Sequence, residues 1–232
     1  MPVGIPKVAF RLPGDEEPSW VDLYNRLHRE RLLFLGEKLK YDNSNHIMSL
    51  MVFLTMEDSR RDIFLLLNTP GGGLLQGASL FDLMQFLQPD IYTVCVGLAA
   101  SIGSYLLAGG TATKRIAFPH ARVMVHQPTA KVRPRSRKRK EKKDKRLSEP
   151  IIVDPDPGPK EGQKTEVART KAANELKRLR VYIAWNYACR TGQPLHVIYS
   201  DMNRDSFMSP EQAKTHGCID LIGISENAED SA

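Results

Sequence analysis

Apolar residues in the first half of the chain fall into two alternating kinds of grouping. Short, nearly unbroken runs occur within Arg31 to Gly36, within Asp62 to Asn68 and from Ile91 to Val96. Runs of that length without polar alternation fit strands buried on both faces. Between them, apolar residues recur every three or four positions. Ile47, Met48, Leu50, Met51 and Leu54 do so within Asn45 to Met56, and Ala78, Leu80, Phe81, Met84 and Phe86 do so ahead of Pro89. That spacing covers one face of a helix, and proline ends the second of them. Ser101 to Ala108 reads as a third helix of small residues, and Arg115 to Phe118 and Arg122 to His126 as strands about a Pro119-His120 turn. Strand and helix in this alternation predict an α/β fold with a parallel sheet covered on both faces.

Elsewhere the pattern changes. Residues 1–17 are rich in Pro and Gly and predict a mobile arm. Ser19 then precedes Trp20, Leu23, Tyr24 and Leu27, spaced for one helical face. After Gln127-Pro128 the stretch 129–164 is first basic and then turns to PIIVDPDPGPKEG. Too few apolar residues are present there to offset the entropy of ordering it, which predicts a solvated, disordered insertion. Helical spacing returns at Val167 and runs through Ala168, Ala172, Leu176, Leu179, Ile183, Ala184 and Tyr187 to Thr191-Gly-Gln-Pro194. Pro210 to His216 reads as a helix leading into a strand at Ile219 to Ile222, and 226–232 is an acidic tail. Segments 18–128 and 165–225 together suit one well-cored domain.

Charge and cysteine content narrow this picture. The net charge of +6 is local: residues 131–146 carry 11 Lys/Arg against 2 acids, leaving −3 for the rest. A looped-out insertion, a dock for an acidic protein and a nucleic-acid contact all fit such a tract. No aromatic residues interleave the charges, which disfavours nucleic acid. Cys95, Cys189 and Cys218 are odd in number and far apart, with no CxxC pair, so neither a disulfide framework nor a zinc site is expected. No run of about 18 apolar residues suits a membrane span. The opening MPVGIPKVAF has the character of neither a secretory signal nor a transit peptide, so the protein is expected to work where it is made.

Four segments carry residues that a plain α/β core does not require. Asn68-Thr-Pro-Gly-Gly-Gly73 ends a strand with glycines that can turn backbone N–H groups into a cleft. No Lys-Ser/Thr follows, so it is not a phosphate-binding ATPase loop. Gly97-Leu-Ala-Ala-Ser101-Ile-Gly103-Ser104 places a hydroxyl at a helix N-terminus. Arg122-Val-Met-Val-His126-Gln127-Pro128 closes a strand with an imidazole, and Asp201-Met-Asn-Arg-Asp205 supplies carboxylates. Singly, these read as a tight turn, an N-cap, a structural histidine and surface acids. Together, in the order Ser, His, Asp with a glycine loop ahead of the serine, they make an acyl-transfer set.

These segments resemble the signature regions of the ClpP family, the peptidase subunits of Clp proteases, from about Trp20 to Gln127 and again from about Leu176 to Ile222. PVGIPKVAFRLPGDEEPSWVDLYNRL, Gly-Leu-Ala-Ala-Ser101 and Phe118-Pro-His-Ala-Arg-Val-Met124 resemble the plastid-encoded members in particular. The resemblance implies a ClpP/crotonase-like fold of repeated βαβ units with a protruding handle helix. It implies a serine endopeptidase acting on unfolded polypeptides, with Ser101 as nucleophile, His126 as base and then acid, and Asp205 orienting the imidazole. The backbone N–H groups of Gly72 and Ile102 would receive the oxyanion, and Asp201 is the carboxylate that could be mistaken for Asp205. It further implies stacked heptameric rings shared with other ClpP- and ClpR-type subunits. An AAA+ unfoldase would feed them and hydrolyse the ATP, so no cofactor is expected on this chain. The setting implied is the chloroplast stroma, or alternatively a bacterial cytoplasm.

The chain departs from the family pattern in several places. Thr69 stands in place of the usual serine, and Gly73 and Gln76 replace an aliphatic and a small residue, which is expected to loosen the loop behind the oxyanion site. The basic tract occupies the position of a Gly-containing strand that lines substrate and pairs the rings. A catalytically silent, ClpR-like ring subunit is therefore the rival function. Acyl-CoA chemistry on the related crotonase fold is disfavoured, since it does not call for a Ser-His-Asp set.

Overall fold

A computed structural model describes residues 4–11, 17–128 and 161–223. It falls into two compact units, residues 1–127 with 183–232, and residues 128–182. The sheets and every residue of the site belong to the first.

The repeated βαβ pattern is present. Strands β3 (Leu32–Leu35), β4 (Ile63–Thr69), β5 (Ile91–Ala100) and β6 (Arg115–Ala117) lie side by side and parallel. Helices α2 (Tyr41–Glu57), α3 (Leu74–Phe86) and α4 (Ile102–Ala108) connect them in turn. A short strand β9 (Leu221–Ile222) adds to β6, and β7 (Arg122–Val125) and β8 (Ser206–Met208) branch from the far end of β5. One side of the sheet is closed by a dry core in which Leu33, Leu35, Ile63, Leu65, Leu67, Ile91 and Cys95 meet Met51, Leu54, Leu80 and Leu106. Each fully buried Leu or Ile contributes roughly 1.5–3 kcal/mol relative to exposure.

The expectation of a sheet covered on both faces is met on one face only. Burial alternates along β3, β4 and β5 although apolar character does not. Phe64, Leu66, Tyr92 and Val94 are half-buried, and Phe34 and Val96 are 39% and 41% exposed. Among the described residues that face is covered only in part, by α1 (Leu23–Arg29), whose Tyr24 ring lies edge-on to Phe34 at 6.4 Å.

Three elements begin elsewhere than the sequence pattern places them. Part of the expected arm, Lys7–Phe10, is a strand (β1) paired antiparallel with β2 (Ser19–Asp22), so helix α1 (Leu23–Arg29) starts after Trp20 rather than at it. The hairpin is held to α1 by Phe10, whose ring lies 5.2 Å from the Arg26 guanidinium and 4.5 Å from that of Arg29. Helix α2 begins four residues early because the Asn43 side chain accepts the Lys40 N–H at 2.7 Å, capping a turn ahead of the apolar stripe. Helix α5 (Glu161–Thr191) begins inside the stretch expected to be a disordered insertion; residues 129–160 of that stretch, and the acidic tail, lie outside the described residues.

Beyond the handle region the chain forms α6 (Leu195–Met202), then β8, then α7 (Pro210–His216). Ser209 caps α7 in a reciprocal box with Gln212, and Gly217 closes it at φ 89°, a left-handed turn that suits glycine. Arg115 is the buried tie between the two halves of this unit. It makes a two-pronged pair with Asp220 at 2.8 and 2.6 Å and donates to the carbonyls of Arg190 and Gly217. Arg190 in turn donates to the carbonyls of Ala108, Gly109 and Gly110 at the end of α4.

Candidate functional site

Ser101 sits where β5 hands over to α4, and the geometry of that handover is set upstream. Pairing between β4 and β5 slips between Leu67/Cys95 and Thr69/Ala99. The Asn68 carboxamide oxygen fills the slip by accepting the Leu98 N–H at 3.1 Å, and a Cβ on Gly97 would meet that oxygen at 2.9 Å. An irregularity of this kind bends a strand and re-aims the residues beyond it. Past the slip, β5 leaves β6 and pairs with β7, Leu98 beside Arg122 and Ala100 beside Met124. Ser101 then adopts φ 57°, ψ −119° and donates its N–H to Met124 O at 2.8 Å. A positive φ on a non-glycine residue costs about 1–3 kcal/mol and persists only where the surroundings enforce it. Here they do: every residue of α4 is buried, and a Cβ on Gly103 would lie 2.6 Å from Thr69 Cγ2.

The glycine loop rests directly on this serine. Gly71, at φ 102°, approaches so closely that a Cβ there would stand 2.9 Å from Ser101 Cβ and 3.4 Å from its Oγ. Two of the three loop amides are committed, Gly71 N–H to Thr69 Oγ1 at 3.1 Å and Gly73 N–H to Leu39 O at 2.9 Å. Neither bond uses the Gly72 amide. Ile102 is the first residue of α4, where an N–H has no acceptor within its own helix. Thr69 thus performs a defined task in its departure from the family pattern. The two changes at Gly73 and Gln76 fit each other: Gln76 Oε1 occupies the space a Cβ on Gly73 would need, 1.9 Å away.

His126 directly follows β7, the strand between β5 and β8. Antiparallel pairing sets Val123 opposite Met208, Met124 opposite Phe207 and Val125 opposite Ser206. One step further in that register sets residue 126 opposite residue 205. The Gln127 N–H donates to Met202 O at 2.7 Å, closing the segment that carries Asp205. Backbone pairing therefore brings the Ser101, His126 and Asp205 segments to one end of one strand. The side chains are not joined to the same degree: Asp205 is exposed, and His126 Nδ1 is buried with no hydrogen-bond partner among the described residues. A buried ring nitrogen without a partner is costly and rare in settled structure.

Asp201 is engaged elsewhere. Its Oδ2 accepts from His216 Nε2 at 2.9 Å, and His216 Nδ1 lies 3.5 Å from Cys218 Sγ. Burial pushes the Cys218 thiol up to about 12, so the sulfur keeps its proton and donates to Nδ1. The Asp201-His216 pair lines a groove of about 510 Å³ together with Gln193, Phe207, Glu211 and Thr215. Nothing in the sequence spacing separated Asp201 from Asp205; the distinction rests on His216, a residue to which the sequence pattern drew no attention.

Comparison with known proteins identifies the family. Residues 14–147 and 139–226 match the family described as Clp protease. The chain is 47% identical over 232 residues to a protein of Illicium oligandrum, covering all of both chains. It is 48% identical over 224 residues to one of Cucumis sativus, and 47% over 224 residues to one of Glycine max, in each case covering 97% of this chain and 100% of the relative. All three relatives are named ATP-dependent Clp protease proteolytic subunit.

Proposed function

The chain belongs to the Clp protease family, and from that premise we propose that it is a catalytically active serine endopeptidase subunit cutting unfolded polypeptides. Ser101 Oγ attacks the scissile carbonyl while His126 takes its proton and later returns it to the leaving amine. Asp205 holds the imidazole in the productive tautomer, and the N–H groups of Gly72 and Ile102 receive the oxyanion. Water then hydrolyses the acyl-enzyme. One observation carries this reading: β7 is flanked by the strand that leads into Ser101 and by the strand that Asp205 precedes, and His126 follows its last residue. The engagement of Asp201 with His216 favours Asp205 as the orienting acid.

The chain itself uses no cofactor in this scheme; an ATP-driven Clp unfoldase supplies substrate. The half-covered sheet face, with Phe34, Val96 and Phe118 exposed, supports assembly with further ClpP- and ClpR-type subunits in stacked heptameric rings. Names and identities of the plant relatives support a place in the chloroplast stroma.

The Nδ1 of His126, which meets no hydrogen-bond partner among the described residues, favours a second reading, a ClpR-like subunit that fills a ring position without cutting. Labelling of the assembled particle with a fluorophosphonate separates the two. Mass spectrometry should find the adduct on Ser101 and lose it in Ser101→Ala. A Ser101 that stays unmodified in particles whose other subunits react would establish the silent role.

A further inference from the structure

The hydroxyl of Ser104 lies among three oxygens: Ser101 O at 2.7 Å, Met124 O at 2.7 Å and the Tyr187 hydroxyl at 2.9 Å. Ser104 is fully buried, and Tyr187 is 2% exposed. Both carbonyls can only accept, and Ser104 has a single proton to give. Were it given to Tyr187, two carbonyl oxygens would face a bare oxygen at 2.7 Å. Tyr187 is therefore the donor to Ser104, whose proton is shared between the two carbonyls. Burial holds the Tyr187 phenol well above its ordinary pKa, which keeps that donor protonated.

The two carbonyls are not arbitrary. Met124 O is also the acceptor of the Ser101 N–H, so one hydroxyl braces the backbone on both sides of the nucleophile. A trans peptide is rigid and planar, with its C=O and N–H pointing opposite ways. The peptide whose oxygen Ser104 holds is the one whose nitrogen belongs to Ile102. Turning that N–H away from the oxyanion position would tear Ser101 O from Ser104. Such a turn is a ready outlet for the strain at Ser101, whose φ is 57°. Helix amides of Ser104 and Tyr105 also reach Ser101 O, at 3.1 and 3.3 Å, but the hydroxyl is the nearest donor. The tyrosine is itself fixed, edge-on to Tyr105 at 5.6 Å, while Tyr105 stacks on Phe81 and accepts from Asn186.

Resting on the catalytic reading above, we infer that Ser104 and Tyr187 are positioning residues that lock the Ser101–Ile102 peptide so that the Ile102 N–H faces the oxyanion. Neither touches substrate. Their loss weakens stabilisation of the tetrahedral intermediate and leaves ground-state binding alone.

The test uses assembled particles of the full chain in which it supplies the only reactive serine. Tyr187→Phe removes one oxygen and keeps the ring; a fall in kcat of about 10-fold with KM within about twofold is expected, against roughly 100-fold or more for loss of an oxyanion donor outright. Affinity for a peptide boronate, which builds the tetrahedral anion, should fall by the same factor while product-peptide affinity holds. Ser104→Ala should act in the same direction and more strongly, with Tyr187→Phe adding little on top of it. Ser104→Thr, which restores a hydroxyl, should recover most of the loss. Should Ser104→Ala fail to assemble, Tyr187→Phe carries the test alone. Unchanged kcat in Tyr187→Phe, or a loss of kcat with boronate affinity intact, overturns the inference while leaving the catalytic reading standing. Wild-type particles that bind no boronate and take no label at Ser101 overturn both.

Discussion

Two imidazoles sit near the C-terminal end of this sheet, each in the company of an acid and a Ser or Cys. His216 has everything it can bond: Asp201 on Nε2 at 2.9 Å and the Cys218 thiol on Nδ1 at 3.5 Å. His126 adjoins Asp205 by strand register and Ser101 through the neighbouring strand, yet its buried Nδ1 has no partner among the described residues. On residue types alone, the satisfied cluster is the better triad. The protonation states reverse that ranking. A thiol held near 12 by burial is no nucleophile at neutral pH, whereas the Ser101 hydroxyl lies against the glycine loop.

The contrast can be broken most sharply at the nucleophile and base. Ser101→Ala or His126→Ala should lower peptide hydrolysis by this subunit by about 10,000-fold or more, measured in particles where it is the only active chain. Next come the two acids. Asp205→Asn should cost about 100-fold to 10,000-fold in kcat, whereas Asp201→Asn should stay within about threefold and lower thermal stability instead. The reverse result would exchange the roles assigned to the two histidines. His216→Ala should destabilise the fold by about 1–3 kcal/mol in denaturant titration, because it strips partners from Asp201 and Cys218, with hydrolysis per folded subunit unchanged. The smallest effect is chemical: at pH 8 iodoacetamide should modify exposed Cys189 and spare buried Cys218 and Cys95 until the chain unfolds. For Cys218 the folded pKa lies above the unfolded value, so its contribution to stability is complete below pH 9 and is lost as pH climbs from 9 to about 12.

The sequence made the framework legible wherever a single periodicity ran for a turn or more. The three parallel βαβ units come from apolar runs and stripes, because burial on a sheet or helix face leaves a local pattern. The hairpin of β1 and β2 left none: Trp20 is 67% exposed and α1 buries no residue, so the spacing from Trp20 to Leu27 marked no helical core face. Strand β8 has three residues and α6 eight, too short to announce themselves, although Ile198 and Met202 are buried one turn apart. Ser101, His126 and Asp205 were visible as residue types, with Asp205 separated from Asp201 only by resemblance. The bonds that distinguish them, such as Ser104 to Tyr187 across 83 positions, depend on folding and have no trace in spacing.

The pairing of Arg115 with Asp220 bears on the order in which the chain can be completed. Two guanidinium groups, those of Arg115 and Arg190, enter the same interior, and burial together with Arg115 weakens the hold of Arg190 on its proton. Asp220, the carboxylate that Arg115 grips, is synthesised 105 residues after Arg115. A nascent chain that has not reached it would trap paired cations without their anion, at a cost of about 3–5 kcal/mol for a buried charge stripped of its partner. The shelf beneath α4 therefore stays wet until the final strand arrives. Chains truncated short of Asp220 should fold with a markedly smaller stability margin than the complete chain.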